Sequence, residues 1–205
     1  DRVELRRKNA IRPEALPLKT PLGFVYDCGE FGKCMDMALA MADWTGFPAR
    51  REASKAKGLL RGIGVANPIE RAGPPSMEYA EIRLDGAGKA TVLMGTKNQG
   101  QGHETTFRQV LYAKLGIAPE DVTYIDGDTD RVAHGYGTFG SRSASIGGSA
   151  LVVASNKVID KGRKIAAHLM EAAPADIVFE AGHFSIGGTD RRLSLKEIAQ
   201  AAYQP

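Results

Sequence analysis

Residues 97–106, "KNQGQGHETT", place two glutamines, two glycines and a histidine directly before a stretch with helical periodicity. A glycine-rich turn at a helix N-terminus leaves backbone N–H groups free, and the helix dipole favours negative charge there. Gly100 and Gly102 lack a Cβ, so a ligand can come close to the main chain. A phosphate alone would be served by that much. Gln99 and Gln101 add a donor and an acceptor each, which suits the mixed edge of a heterocycle better than a phosphate. The competing reading is a helix-entry turn with solvated glutamines, and glycine patterns by themselves produce many false matches.

A second stretch of the same kind is "GYGTFGSRSASIGG", residues 135–148. Hydroxyls from Thr138, Ser141 and Ser143 and the guanidinium of Arg142 make a good set for a diphosphate. The plain alternative is a flexible loop with a serine cap. Two such loops, each entering a helix, favour one ligand that spans both. Neither fits the Walker pattern, because no Gly-Lys-Ser/Thr follows.

Other chemistries fit less well. "DGDTDRVAHG" spaces Asp126, Asp128 and Asp130 like a calcium loop, but Arg131 stands where the turn glycine belongs and Gly137 where the bidentate Glu belongs. Its acids are expected to cap turns and bind arginine. His103, His134, His168 and His183 show no zinc spacing. Glu104 lies in a first helical turn, where capping accounts for it. No nucleophile–base pair or glycine–serine elbow is visible. The residues alone describe a segment that binds a polar cofactor or a nucleotide, with no evident catalytic group.

The elements that must position these loops follow from periodicity. "MEYAEIRLD", a glycine turn and "KATVLMG" form a hairpin whose second strand runs into the first loop. His103 to Leu115 reads as a helix with Phe107, Val110, Leu111 and Leu115 on one face and Gly116 after its end. "DVTYID" is a short strand, and "ASIGGSALVVASNKVIDKGRKIAAHLM" reads as one long helix with a buried start. "DIVFEAGHFSIGG" is a second hairpin, followed by a helix with Ser194 and Glu197 in a capping box. Upstream, "DRVELRRKNAI" resembles the end of a surface helix, and Glu30 to Trp44 is helical with a stop at Gly46 and Pro48. "ARREASKAKG" reads as a solvated charged continuation. Hairpins and long helices without regular βαβ alternation predict an α+β fold.

Bulk properties narrow the class. The chain has 205 residues, 43% hydrophobic and 25% charged, with a net charge of +3. Its basic residues sit mainly in "ELRRKNAIR" and "ARREASKAKG" without interleaved aromatics, which disfavours dedicated nucleic-acid binding. Cys28 and Cys34 are too few for a disulfide scaffold and fit free thiols in a reducing cytosol. No apolar run approaches the roughly 20 residues of a membrane span. The opening "DRVELRRKN", without a signal peptide and already helical, is the expected mark of a piece of a longer polypeptide.

Taken together, "DRVELRRKNAI", "TPLGFVYDCGEF", "RGIGVANPIE", "NQGQGHETTFRQV", "GDTDRVAHGYGTFGSRS" and "SLKEIAQAAY" resemble one family in order along nearly the whole chain. It is the large, cofactor-binding subunit of molybdenum hydroxylases, the xanthine dehydrogenase and aldehyde oxidase superfamily. Within that family the chain is most similar to the aerobic carbon monoxide dehydrogenase type. The resemblance implies two-layer mixed sheets with helices. Residues 1–57 would be the C-terminal part of the first cofactor-binding domain and residues 58–205 the N-terminal part of the second. It implies that Gln99, Gly100, Gln101, Gly102 and His103 wrap the cofactor, and that Thr138, Phe139, Ser141, Arg142 and Ser143 hold more of the dinucleotide. The "QGQGHE" form resembles members that use molybdopterin cytosine dinucleotide. Partner subunits would carry iron–sulfur clusters and FAD, in a cytoplasmic dimer of heterotrimers that oxidises a small molecule. By the same resemblance the substrate-side loop and the glutamate base lie outside these residues, so the isolated piece is expected to be inactive. The rival reading is a non-catalytic nucleotide- or anion-binding module with two phosphate loops.

Overall fold

Alternating apolar residues in two short runs build the sheet that carries the site. In the computed structural model, which describes residues 1–70, 73 and 76–204, β3 (Ala80–Leu84) pairs antiparallel with β4 (Ala90–Met94). The turn between them is closed by Asp85, whose carboxylate accepts the N–H groups of Ala87 and Lys89. From β4 the chain passes through the first glycine loop into α4 (His103–Leu115) and returns as β5 (Val122–Asp126). β5 lies parallel to β4, with Ala90 opposite Val122 and Met94 opposite Asp126. One βαβ crossover is therefore embedded in an otherwise antiparallel arrangement, and the α+β expectation holds.

The apolar face of α4 supplies Phe107, Leu111 and Leu115 to the core, and Val110 is half-buried beside them. Gly116 ends the helix in the left-handed conformation, its N–H returning to the carbonyl of Tyr112. The long helix α5 (Gly148–Leu169) packs against α4 and β3 through Leu151, Ala166 and Ala167. It begins differently from the expectation of one uniform helix: Ser143–Gly147 form a π-turn before the α-helix proper. A Cβ on Gly147 would stand 2.8 Å from the side chain of Thr96, so the chain approaches the end of β4 closely here. Such one-turn π segments are frequent at functional sites.

The rest of this unit is a second sheet, β6 (Ile177–Glu180), β7 (His183–Ile186) and β8 (Arg192–Ser194), with α6 (Leu195–Ala202) after it. Ser194 and Glu197 form the expected capping box. Phe184, Ile177, Leu195 and Ile198 from these elements join the same core as β4, α4 and α5.

By contacts within the chain, Asp1–Ile69 is a separate unit from Glu70–Pro205. It holds α1 (Arg2–Asn9), capped by the Asp1 carboxylate, a small pair β1 (Leu18–Lys19) and β2 (Val25–Tyr26), and α2 (Phe31–Met41). Where the charged continuation was expected, a separate helix α3 (Phe47–Lys55) forms. The helix expected to run to Trp44 ends earlier, at Met41, and Gly46 and Pro48 open the next helix rather than ending the last, since proline fits a first helical turn.

Candidate functional site

The first loop folds on its own amides. Asn98 Oδ1 accepts the N–H of Gly100 at 3.1 Å, and Gln101 Oε1 accepts the N–H of Gln99 at 2.6 Å. The two glutamine side chains also meet, Gln101 Nε2 to Gln99 Oε1, at 3.5 Å. Gly100 and Gly102 take φ of +107° and +77°, a region that disfavours any side chain, and a Cβ at either would meet nothing within 4 Å. The loop is thus held from within and open outside. With the amides of 98–100 used internally, the free donors lie at the head of α4, where no side chain caps the helix.

His103 is the first residue of that helix and is buried, its ring 5.6 Å from that of Phe107. Among the described residues its Nδ1 has no hydrogen-bond partner. Glu104 stands in the first turn as expected, without a capping hydrogen bond of its own, and pairs with Arg108 at 2.7 Å, one turn along. Arg108 reaches on to the carbonyl of Val122 at 2.8 Å and so ties α4 to β5.

The second loop lies directly against the first. Thr138 Oγ1 donates to the carbonyl of Lys97 at 2.6 Å, accepts the Lys97 N–H at 3.1 Å and meets Ser143 Oγ at 2.9 Å. The N–H of Gly137 donates to the carbonyl of Gly95 at 3.2 Å. Gly95 and Gly135 make this possible: a Cβ on Gly135 would stand 2.5 Å from the carbonyl oxygen of Gly95. Loops forty residues apart in sequence therefore share one surface, as a ligand that spans both requires. Thr138 serves as the stitch between them, with its hydroxyl already engaged three times.

Arg142 departs from its expected place. Its side chain and that of Glu78 are both 0% exposed and form an ion pair. The guanidinium also donates to the carbonyls of Gly137 at 2.7 Å and Met77 at 2.5 Å and to Ser76 Oγ at 2.8 Å. It lies between the rings of Tyr136 and Phe139, 5.6 and 5.1 Å from their centroids. A guanidinium so enclosed shapes the loop instead of reaching outward to a diphosphate. Ser141, at φ +52°, is exposed on the loop's outer side, as is Phe139, while Ser143 is buried. Glu78 was missed in the sequence because it precedes β3, far from either motif. No spacing rule connects it to Arg142.

The acids of residues 126–130 do cap turns: Asp128 accepts the N–H of Asp130 at 3.0 Å. The expected arginine partner is replaced by lysine, since Asp126 Oδ1 lies 3.5 Å from Lys97 Nζ. Asp126 Oδ2 accepts the phenol of Tyr124 at 3.0 Å. Burial first, and then the Asp126 charge, push the Tyr124 phenol well above its ordinary value of 10.0. Because the folded value is the raised one, its contribution to stability is complete below about pH 10 and is lost as pH climbs beyond that. We expect the denaturation midpoint of the wild type to fall more steeply above about pH 10 than that of Tyr124→Phe, as alkaline urea titrations would measure.

The residues present fit a polar heterocycle bearing phosphates: an open glycine cradle, a helix N-terminus without a side-chain cap, and a buried histidine nitrogen without a hydrogen-bond partner among the described residues. Among the described residues no three His, Cys, Asp or Glu side chains gather as a metal site.

These features are those of a cofactor-holding module, and the chain belongs to the molybdopterin cofactor-binding domain family, which matches residues 37–205. It is 38% identical to the carbon monoxide dehydrogenase large chain of Hydrogenophaga pseudoflava, over 100% of this chain and 28% of that one. It is 32% identical to the nicotine 6-hydroxylase large subunit of Paenarthrobacter nicotinovorans, over 98% of this chain and 26% of the relative. Among solved structures, the Cu,Mo-CO dehydrogenase in its carbon monoxide reduced state superposes with a TM-score of 0.66 at 35% identity, covering 99% of this chain and 28% of that one. Quinoline 2-oxidoreductase from Pseudomonas putida 86 gives 0.61 at 29% identity, over 98% and 27%. The chain thus spans little more than a quarter of the length of the relatives it matches.

Proposed function

We propose that these residues hold a molybdopterin dinucleotide, in its cytosine form, within a molybdenum hydroxylase that oxidises a small molecule with water as oxygen source. The observation that carries this reading is the union of the two glycine loops through Thr138 and Lys97. When bound, the cofactor would supply a two-electron redox centre. The chain's own part is to bind and orient it. The donors and lone pairs that the Gln99 and Gln101 amides keep beyond their bonds to each other would meet the heterocycle, Gly100 and Gly102 would let it approach, and the amides at the head of α4 would face its phosphates. His103 offers a buried nitrogen at the same helix end. Ser141 and Phe139 would contact the nucleotide from the second loop, while Thr138, Ser143 and Arg142 contribute by fixing that loop's shape.

Division of the chain into parts of two cofactor-binding domains, 1–57 and 58–205, is part of the same proposal; the boundary between the compact units falls later in the chain, between Ile69 and Glu70. Iron–sulfur and flavin subunits are the proposed partners, consistent with relatives that are themselves large subunits of multi-chain enzymes. A cytoplasmic location belongs to this reading, and no described helix is long and apolar enough to cross a membrane.

Gln101→Leu and Gly102→Val are expected to lower molybdenum and nucleotide content of the purified full polypeptide by about tenfold, the equivalent of about 1.4 kcal/mol of binding. Metal analysis and chromatography of the released nucleotide measure this. Unchanged content in both variants would refute the assigned contacts. Saturable binding of plain CTP or ADP with no pterin requirement would favour the simple nucleotide module instead.

A further inference from the structure

A carboxylate stands beneath the loop that is proposed to receive an anionic ligand. Asp126 ends β5, and the parallel register sets it opposite Met94, just ahead of the first glycine loop. Its side chain is 9% exposed. Negative charge so near a phosphate site opposes binding unless it is neutralised and has a task. Lys97 Nζ, 3.5 Å away, provides the neutralisation. The task is visible in the hydrogen bonds. Asp126 Oδ2 accepts the N–H of Asn98 at 2.7 Å, a charge-assisted bond from the loop's main chain to the neighbouring strand. Asn98 in turn accepts the N–H of Gly100 through its own side chain at 3.1 Å.

We propose that Asp126 is a positioning residue for the cofactor loop: through Asn98 it fixes the direction of the main chain at Gly100, so that the ligand-facing groups are set before binding. Preorganised groups bind without the cost of ordering at the moment of contact. This inference rests on the reading of the site as a molybdopterin dinucleotide cradle. Asp126 needs no contact with the ligand. Its other bond, from the Tyr124 phenol, is accepted by the same oxygen, Oδ2, and holds the carboxylate from within its own strand.

The test uses the full polypeptide purified from a host that makes molybdopterin cofactors, reading molybdenum and nucleotide content together with the thermal midpoint of the cofactor-free form. Asp126→Ala is expected to lower both contents by about fivefold or more, on the scale of one lost charge-assisted hydrogen bond. Asp126→Asn keeps an acceptor oxygen and is expected to restore content to within about twofold of wild type. Tyr124→Phe removes one of the two bonds to Oδ2 but leaves the acceptor and the Asn98 bond in place, and is expected to lower content by less than Asp126→Ala does. Asn98→Ala, a change on the loop surface that leaves the core intact, is expected to lower content with little change in midpoint. Wild-type content in Asp126→Ala or in Asn98→Ala would overturn the relay. A wild-type protein that carries neither molybdenum nor nucleotide would overturn the cofactor reading itself, a result distinct from all of these.

Discussion

Arg142→Met is expected to lower the unfolding free energy by about 3–5 kcal/mol, the range seen when one partner of a buried ion pair is removed. Glu78 would keep its charge in a place where neither side chain is exposed, and the carbonyls of Gly137 and Met77 would each lose a donor. Chemical denaturation monitored by circular dichroism measures the loss. The double variant Glu78→Leu with Arg142→Met is expected to regain part of it, because replacing a buried pair with apolar groups is often near neutral. A single variant that costs less than about 1 kcal/mol, as exposed pairs do, would show that the pair is not what holds the second loop.

Gly95→Ala is expected to cost about 1–3 kcal/mol, the usual penalty for forcing extra volume into a packed site, and to lower cofactor content as well. The added Cβ would stand 2.8 Å from Gly135 Cα and 2.9 Å from the carbonyl of His134, both backbone atoms, and would press on the buried Glu78. Backbone has little room to yield, so the second loop must lift from the first. Gly148→Ala provides the contrast. A Cβ there meets nothing within 4 Å, and its helical backbone suits alanine. Replacement there is expected to be neutral or stabilising by about 0.4–1 kcal/mol. Equal losses at both positions, compared by urea midpoints, would remove the close approach of Gly95 and Gly135 from the account.

Much of this architecture was legible along the chain because it is written in local patterns. The apolar stripe Phe107, Leu111, Leu115 and the closing Gly116 marked α4 to the residue. The Ser194 and Glu197 pair marked the start of α6. Pro48 misled, since the same residue can follow one helix and open another. The site was half legible. The glycines and amides of residues 99–102 are contiguous, and their need for positive φ can be inferred from residue type alone. The meeting of the two loops could only be hoped for from their likeness. What joins them is long-range: Thr138 to Lys97, Gly95 against Gly135, Arg142 to Glu78. Arg142 shows the limit most clearly. By type it belonged to a diphosphate, yet burial turned it inward, and burial is a property of the whole fold.

The single hydroxyl of Thr138 also governs how such a site can be altered. Since its oxygen bonds both the N–H and the carbonyl of Lys97, the two bends are joined directly, apart from the helix and strand that run between them. Insertions in that intervening stretch are expected to leave this contact between the bends in place. Transplanting either bend alone into another scaffold would not. The two bends, with Glu78 and Asp126 behind them, therefore belong together as one unit.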